Sequence, residues 1–327
     1  MGEREIGEFD LIAKYFAPLA TDPAALGLKD DAALVDLPPG EKAVITKDVM
    51  VAGVHFPIDT DPTLVAQKLL RVNLSDLASM GAKPVGYWLG CQLPRRGAEA
   101  WVAKFCAGLK ADQEEFAISL MGGDTVATPG PVALSLTAMG TCPDGEALRR
   151  SGAKPGDEIW VSGTIGDGYL GLKIAEGENF GLDPEDQAYL RGRLDRPSPR
   201  VSLGLALRDF ASAAIDISDG LAADAGHIAN ASDVTLSIET KLLPLSTPAA
   251  TLVKRGDVSL SDLLSGGDDF ELLFTTPLKN FDLGFDMARE SMTRVTRIGD
   301  VMAGSGKVRL TQHGTEITPK NAGFTHF

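Results

Sequence analysis

Apolar residues recur at helical spacing in the first third of the chain. Leu64, Val65, Leu69, Val72 and Leu77 follow Asp61-Pro62, an N-cap and first-turn proline, and predict a helix that runs to about Met80 and stops at Gly81. Ile6, Phe9, Ile12, Ala13 and Phe16 predict an earlier helix with one apolar side, ended near Pro18. Two β-rich runs, Ala33–Leu37 and Ala43–Lys47, flank the turn signal Pro38-Pro39-Gly40 and predict a hairpin. A strand at Gly86–Leu93, a helix at Ala98–Phe116, and strands at Ile118–Met121 and Val132–Gly140 complete a first α/β block.

Turn residues and charges crowd Thr141–Asp157, which predicts a boundary there and two domains, 1–143 and 144–327. The second block reads as strand Glu158–Ser162, a helix from about Gly168, a polar stretch ending in Arg196-Pro-Ser-Pro-Arg200, and a helix Val201–Phe210. Strand Ala213–Ile217, helix Leu221–Ala231, strand Val234–Ile238, a short helix near Leu260–Leu264 and strand Glu271–Thr275 follow. A final helix and two strands lead toward Leu310. The fold class is therefore α/β (α+β) in two domains.

Composition sharpens this only in part. At 327 residues the chain exceeds the usual size of one core. Its net charge of −14 and lack of Lys/Arg patches argue against a nucleic-acid partner. Cys91, Cys106 and Cys142 show no CxxC spacing, so neither a disulfide framework nor a structural zinc is supported, and a reducing cytoplasm fits best. The N-terminus lacks an apolar h-region and no run of about 18 apolar residues occurs, which predicts a soluble, unexported protein with no membrane partner.

The candidate chemistry lies in acids set beside Gly, Ser or strand ends: Asp30-Asp31, Asp48, Asp76, Gly122-Gly123-Asp124, Asp216-Ile-Ser218-Asp219-Gly220 and Ser265-Gly266-Gly267-Asp268-Asp269. Small neighbours let a backbone approach a phosphate while carboxylate oxygens ligate a hard cation, which suits Mg²⁺ bridging to phosphates. Taken one at a time, most of these also read as solvated turns or caps. Asp76 differs: it sits inside a helix among Leu74, Leu77 and Ala78 with no Lys or Arg at i±4, so it is a metal ligand or the partner of a distant Arg. His55, just past Asp48, could touch a substrate, whereas His227 reads as a packing or capping residue, and with His313 and His326 the histidines are too dispersed for a His-based metal site. Arg150 suits either a phosphate or an exposed loop. No Walker A, kinase-type or Rossmann glycine loop and no GxSxG is present.

In combination, Lys29-Asp-Asp-Ala-Ala33, Thr46-Lys-Asp48 with Gly53-Val-His-Phe56, Val72-Asn-Leu-Ser-Asp-Leu-Ala78, Gly122-Gly-Asp-Thr125, Arg150-Ser-Gly-Ala-Lys-Pro-Gly-Asp157, Asp216-Ile-Ser-Asp-Gly220 and Leu264-Ser-Gly-Gly-Asp-Asp-Phe-Glu-Leu272 strongly resemble the thiamine-monophosphate kinase family. The resemblance runs from near residue 7 to Gly323-Phe-Thr-His-Phe327. It implies an N-terminal domain that binds ATP and Mg²⁺ and whose sheet pairs with that of a second subunit to close a barrel, hence a homodimer. It also implies a C-terminal α/β domain, with ATP and several Mg²⁺ in the cleft. Carried over by motif, Asp31, Thr46, Asp48, Asp76, Asp124, Asp216 and Asp219 resemble metal ligands, of which Asp48, Asp76 and Asp124 would be catalytic. Gly123, Asp124, Arg150 and Ser218 resemble ATP contacts, and His55 and Asp268 contacts to thiamine phosphate. Lys29, Lys47 and Asp268 stand where the family often has Gly, Thr and Glu, and Asn321 where it tends to have an aromatic. The implied reaction is in-line transfer of the γ-phosphoryl group of ATP to a phosphate oxygen. With a second pKa near 6 that oxygen is already largely ionised and needs no strong general base. The alternatives are another ATP-using enzyme of the same superfamily, or a non-catalytic metal- or nucleotide-binding regulator.

Overall fold

The computed structural model describes residues 6–277, 291–312 and 315–317. They group into two compact units, one ending at Asp144 and the other comprising Ala78–Ala82 together with Gly145 onward.

The first unit is built on a four-stranded sheet in the order β1-β4-β2-β3. Its strands are β1 (Glu41–Val51), β2 (Lys83–Leu93), β3 (Ser119–Ala127) and β4 (Ala133–Pro143). β4 pairs antiparallel with both β1 and β2, while β2 and β3 run parallel. Parallel neighbours need a crossover, and the helix Ala98–Phe116 lies between β2 and β3 in sequence. The other long helix of this unit starts at Pro62 and ends at Ser79. Arg71 on it donates to Asp112 on the crossover helix at 2.8 Å from both Nε and Nη2, and Gln67 donates to the same carboxylate at 2.9 Å. That fully buried acid is thus neutralised in place, as a buried charge must be.

The expected hairpin does not form. Residues 33–37 carry no strand, with Leu34 72% and Leu37 42% exposed, and β1 instead pairs along its whole length with β4, from Glu41↔Pro143 to Val51↔Ala133. Prolines 38 and 39 have no N–H to offer a ladder, whereas β4 satisfies β1 from end to end. The N-terminal helix is also less regular than its pattern: α1 (Glu8–Leu11) gives way to a π turn over Ile12–Phe16 and a 3₁₀ turn over Ala17–Leu19, with Pro18 inside it. Leu11, Phe16 and Leu19 are buried but Phe9 is exposed.

The second unit has a seven-stranded sheet, β11-β10-β7-β9-β5-β8-β6, in which only β10 and β7 run parallel. These strands are β5 (Asp157–Ser162), β6 (Ala213–Asp216), β7 (Val234–Glu239), β8 (Leu272–Pro277), β9 (Val295–Ala303), β10 (Lys307–Gln312) and β11 (Thr315–Ile317). Ile159, Val161, Ile215, Leu236, Ile238 and Leu273 pack with Leu221, Ala225 and Ile228 of a helix spanning Leu221–Ser232. The polar stretch before Arg200 contains a helix that its pattern does not announce, Pro184–Asp195, capped by the Asp183 side chain on the N–H of Asp186 and carrying an Arg191–Asp195 pair at 2.9 Å. Only Leu190, Arg193 and Leu194 are buried on it, too few for an apolar stripe to show. A helix at Thr247–Arg255, capped by Ser246, is likewise additional to the expected elements. The expected final helix, His313, Asn321, His326 and the aromatic terminus lie outside the described residues.

Candidate functional site

Strand alternation in β1 sends Thr46 and Asp48 to one side and Lys47 to the other. Lys47 lies within reach of Ser135 Oγ and Thr137 Oγ1 on β4, at 3.3 and 3.4 Å, so the cation expected beside Asp48 is turned away from it. Asp76 projects from the Pro62–Ser79 helix, and Thr46 Oγ1 donates a short hydrogen bond to its carboxylate. Burial, and then the negative charge of Asp76, push the half-buried Asp48 carboxyl up to about 6. Thr46, Asp48 and Asp76 therefore form one oxygen-rich cluster in which two carboxylates repel each other, a donor set that fits a hard divalent cation.

Asp31 and Asp124 face a separate cavity of this unit. With Asp30, Gly122 and Gly123 they line a cavity of about 490 Å³ that also has Trp88, Phe16 and Leu28 in its wall. The Gly-Gly-Asp motif does not follow its strand but continues it, with Leu89↔Gly123 and Gly90↔Asp124 in parallel register. A Cβ on Gly123 would stand 2.0 Å from the Leu89 carbonyl oxygen, so glycine is required by the closeness of the two strands. Because β4 and β2 separate β1 from β3, Asp48 and Asp124 lie three strand spacings apart within the sheet, about 14 Å. His55 lies in the tight loop after β1, where its Nδ1 accepts the Val51 N–H at 3.0 Å. That contact fixes the ring and, in the neutral imidazole, places the ring proton on Nε2.

In the second unit, Asp216 ends β6 almost fully buried, and the turn Ile217–Gly220 leads into the Leu221–Ser232 helix. Asp224, in the first turn of that helix, accepts the N–H groups of Asp219 and Gly220 at 3.1 and 3.2 Å. Burial, followed by the charge of Asp219, raises its carboxyl to about 7. Ligand atoms of Asp219, Asp224 and His227 all lie within 4.8 Å of one another. Sequence reasoning assigns His227 to packing or capping and does not single out Asp224. The signal is nevertheless in the spacing: Asp224 and His227 are i and i+3 on one helical face, directly after Asp219.

The loop carrying Asp268 lies against this turn, the Asp268 N–H donating to Ser218 O at 2.9 Å. Arg150 is exposed, and its carbonyl accepts Ser232 Oγ at 3.2 Å, at the opposite end of the 12-residue helix from Ser218, about 18 Å away along its axis. Of the residues expected to contact the two substrates, the fold of this unit thus joins Ser218 and Asp268 and sets the Arg150 backbone apart.

Residues 29–142 match the family described as AIR synthase related protein, N-terminal domain. The thiamine-monophosphate kinase of Caulobacter vibrioides is 45% identical to this chain over 98% of it and 90% of the relative. The crystal structure of thiamine-monophosphate kinase from Stenotrophomonas maltophilia K279a is 42% identical, superposes with a TM-score of 0.84, and covers 95% of this chain and 98% of its own. The structure of AaThiL complexed with AMPPCP and TMP gives a TM-score of 0.78 at 31% identity, covering 100% of this chain and 99% of its own. Identity at this level along nearly the whole length, on the same two-unit fold, makes the chain a member of the thiamine-monophosphate kinase family.

Proposed function

We infer that this chain phosphorylates thiamine monophosphate with ATP to give thiamine diphosphate, and that Mg²⁺ held by its aspartates is required. The observation that carries the metal assignment is the Thr46–Asp48–Asp76 cluster. Two carboxylates placed so that one raises the proton affinity of the other, with a hydroxyl beside them and Lys47 turned toward β4, make a good cation site. Asp31 and Asp124, on their shared cavity, and, on the second unit, Asp219 in its group with Asp224 and His227 and Asp216 at the end of β6 would supply further oxygen ligands. Bound there, Mg²⁺ would neutralise the repulsion between two polyanionic substrates and the charge that develops in the transferring phosphoryl group. The protein's part is positioning. Gly123 allows backbone to approach the nucleotide phosphates, Ser218 and Arg150 contact ATP, and His55 and Asp268 orient the thiamine phosphate for in-line attack, with no general base needed.

The proposal includes a homodimer. β1 and β3 are the two open edges of the first sheet, and the outward face of β1 carries apolar Ile45 at 64% and Val49 at 51% exposure on either side of Lys47. Closing the sheet edge to edge against a second copy would bring an Asp48 and an Asp124 onto neighbouring strands, which one chain alone keeps apart. The division at 143/144 assigns ATP and metal binding with dimerisation to the first domain. Three buried free cysteines support a cytoplasmic setting, and among the described residues no helix is long and apolar enough to cross a membrane.

The test is ADP formation measured with and without Mg²⁺ and thiamine monophosphate, beside sedimentation of the same protein. Turnover that needs both supports the assignment. Nucleotide binding without turnover would instead make the protein a regulator, and a monomer with full activity would remove the dimer from the proposal.

A further inference from the structure

The segment Asp268–Glu271 has a backbone few sequences adopt. Asp268 has φ +66° and Phe270 φ +51°, two non-glycine residues in the left-handed region within three positions. Such a conformation persists only where surrounding contacts over-determine it. One set lies along the chain: the N–H groups of Asp268 and Phe270 donate to Ser218 O and Ile217 O at 2.9 and 2.8 Å, and Ile217 N–H donates to Glu271 O at 2.8 Å. This stitches the loop to the turn that carries Ser218. Gly267 permits the approach, since a Cβ there would stand 2.2 Å from Ser218 O.

The second set comes from Asp269. Its side chain is fully buried and accepts the N–H groups of Gly166 at 2.7 Å and Gly168 at 3.0 Å, at the start of the helix Asp167–Ala175, while its carbonyl accepts Arg193 Nη2 at 3.1 Å. Arg193 is held in turn by the buried Glu271, at 2.8 Å. On the other side, a Cβ on Gly168 would stand 2.1 Å from Asp268 O, so helix and loop are in direct backbone contact. A buried acid with two N–H partners, one residue from a half-buried Asp268 in a strained conformation, acts on its neighbour through the backbone.

We propose that Asp269 is a positioning residue: by tying the loop to the start of the Asp167–Ala175 helix it fixes the left-handed backbone at Asp268, and so sets the Asp268 carboxylate relative to the Ser218 turn. This rests on the reading that Asp268 contacts thiamine monophosphate. In Asp269→Asn the side-chain amide can accept only one of the two N–H groups, and the loop should relax.

The experiment is steady-state kinetics of Asp269→Asn with each substrate varied in turn, beside thermal melting and an Asp268→Ala control. The expected result is a KM for thiamine monophosphate raised at least tenfold with the KM for ATP changed less than twofold, in a protein that still melts cooperatively. A folded Asp269→Asn with an unchanged thiamine monophosphate KM overturns the inference, as does an equal rise in both KM values, which would mark a general structural role. Asp268→Ala separates the two layers. If it leaves that KM unchanged, the reading of Asp268 has failed; if it raises the KM while Asp269→Asn does not, only this inference has. Should Asp269→Asn not fold, Arg193→Lys takes its place, because it loses the fork that reaches the Asp269 carbonyl but keeps a charge beside Glu271. A smaller but selective rise in the thiamine monophosphate KM is then expected, and an unchanged KM or an equal rise in both overturns the inference in the same way.

Discussion

The Thr46–Asp48–Asp76 cluster and the Asp269–Glu271 segment use the same functional group to opposite ends. Glu271 is fully buried and surrounded by donors: Arg193 at 2.8 Å, Arg200 at 2.6 and 2.5 Å, and Ser162 Oγ at 2.5 Å. Asp48 and Asp76 are half-buried on the open side of a strand and a helix, close enough for one to disfavour ionisation of the other. The first arrangement is complete within the protein and rigidifies it. The second sets two carboxylates side by side with a raised pKa on one of them, the arrangement expected of the cation site proposed above.

The sharpest way to break this contrast is to remove a carboxylate from the first cluster. Asp48→Asn or Asp76→Asn should lower turnover roughly a thousandfold or more, about 4 kcal/mol of transition-state stabilisation, while the melting temperature without metal stays unchanged or rises. A variant that melts lower and keeps its turnover would assign these acids to structure. Next in size, Glu271→Gln should show the opposite pattern in chemical denaturation, a loss of about 3 kcal/mol, because two arginines lose their buried counter-charge. A stability change near zero would mean that the network is less committed than its geometry implies.

The smallest effect is a pH dependence. Asp48 is raised from 3.8 to about 6 in the folded chain, so between those values the native state holds a proton that the unfolded state has released. Stability of the metal-free protein should therefore fall as pH rises from about 4 to about 6, by on the order of 2 kcal/mol from this group. Asp224, raised to about 7 by burial, adds a slope of the same sign at higher pH. The Asp48 share is the difference between wild type and Asp48→Asn in denaturation from pH 4 to 7, and Mg²⁺ should abolish it. Identical slopes in the two proteins would contradict the crowding of Asp48 and Asp76.

Sequence periodicity is a good guide for the two long helices of the first unit. The helix Ala98–Phe116 matches its expected bounds, and the Pro62–Ser79 helix ends within a residue of expectation. Periodicity fails at Pro184–Asp195, where the buried face is two leucines and an arginine, and at residues 33–37, where an apolar run is left exposed. At the site, the Gly and Asp clusters are visible because small residues beside acids are unusual in a row. Asp269 is visible only as a second aspartate.

The order of residues alone determined the family, the carboxylate inventory and the alternation that separates Asp48 from Lys47, since these depend on residue identity and the fixed period of a strand. Tertiary structure decided which groups each acid meets. Asp76 finds Thr46, Asp269 finds two glycine N–H groups, Glu271 finds two arginines from a polar stretch some 70 residues away, and Asp124 is held three strands from Asp48. Local sequence cannot carry that information, because the energy of a buried charge is set by the partners the chain folds around it.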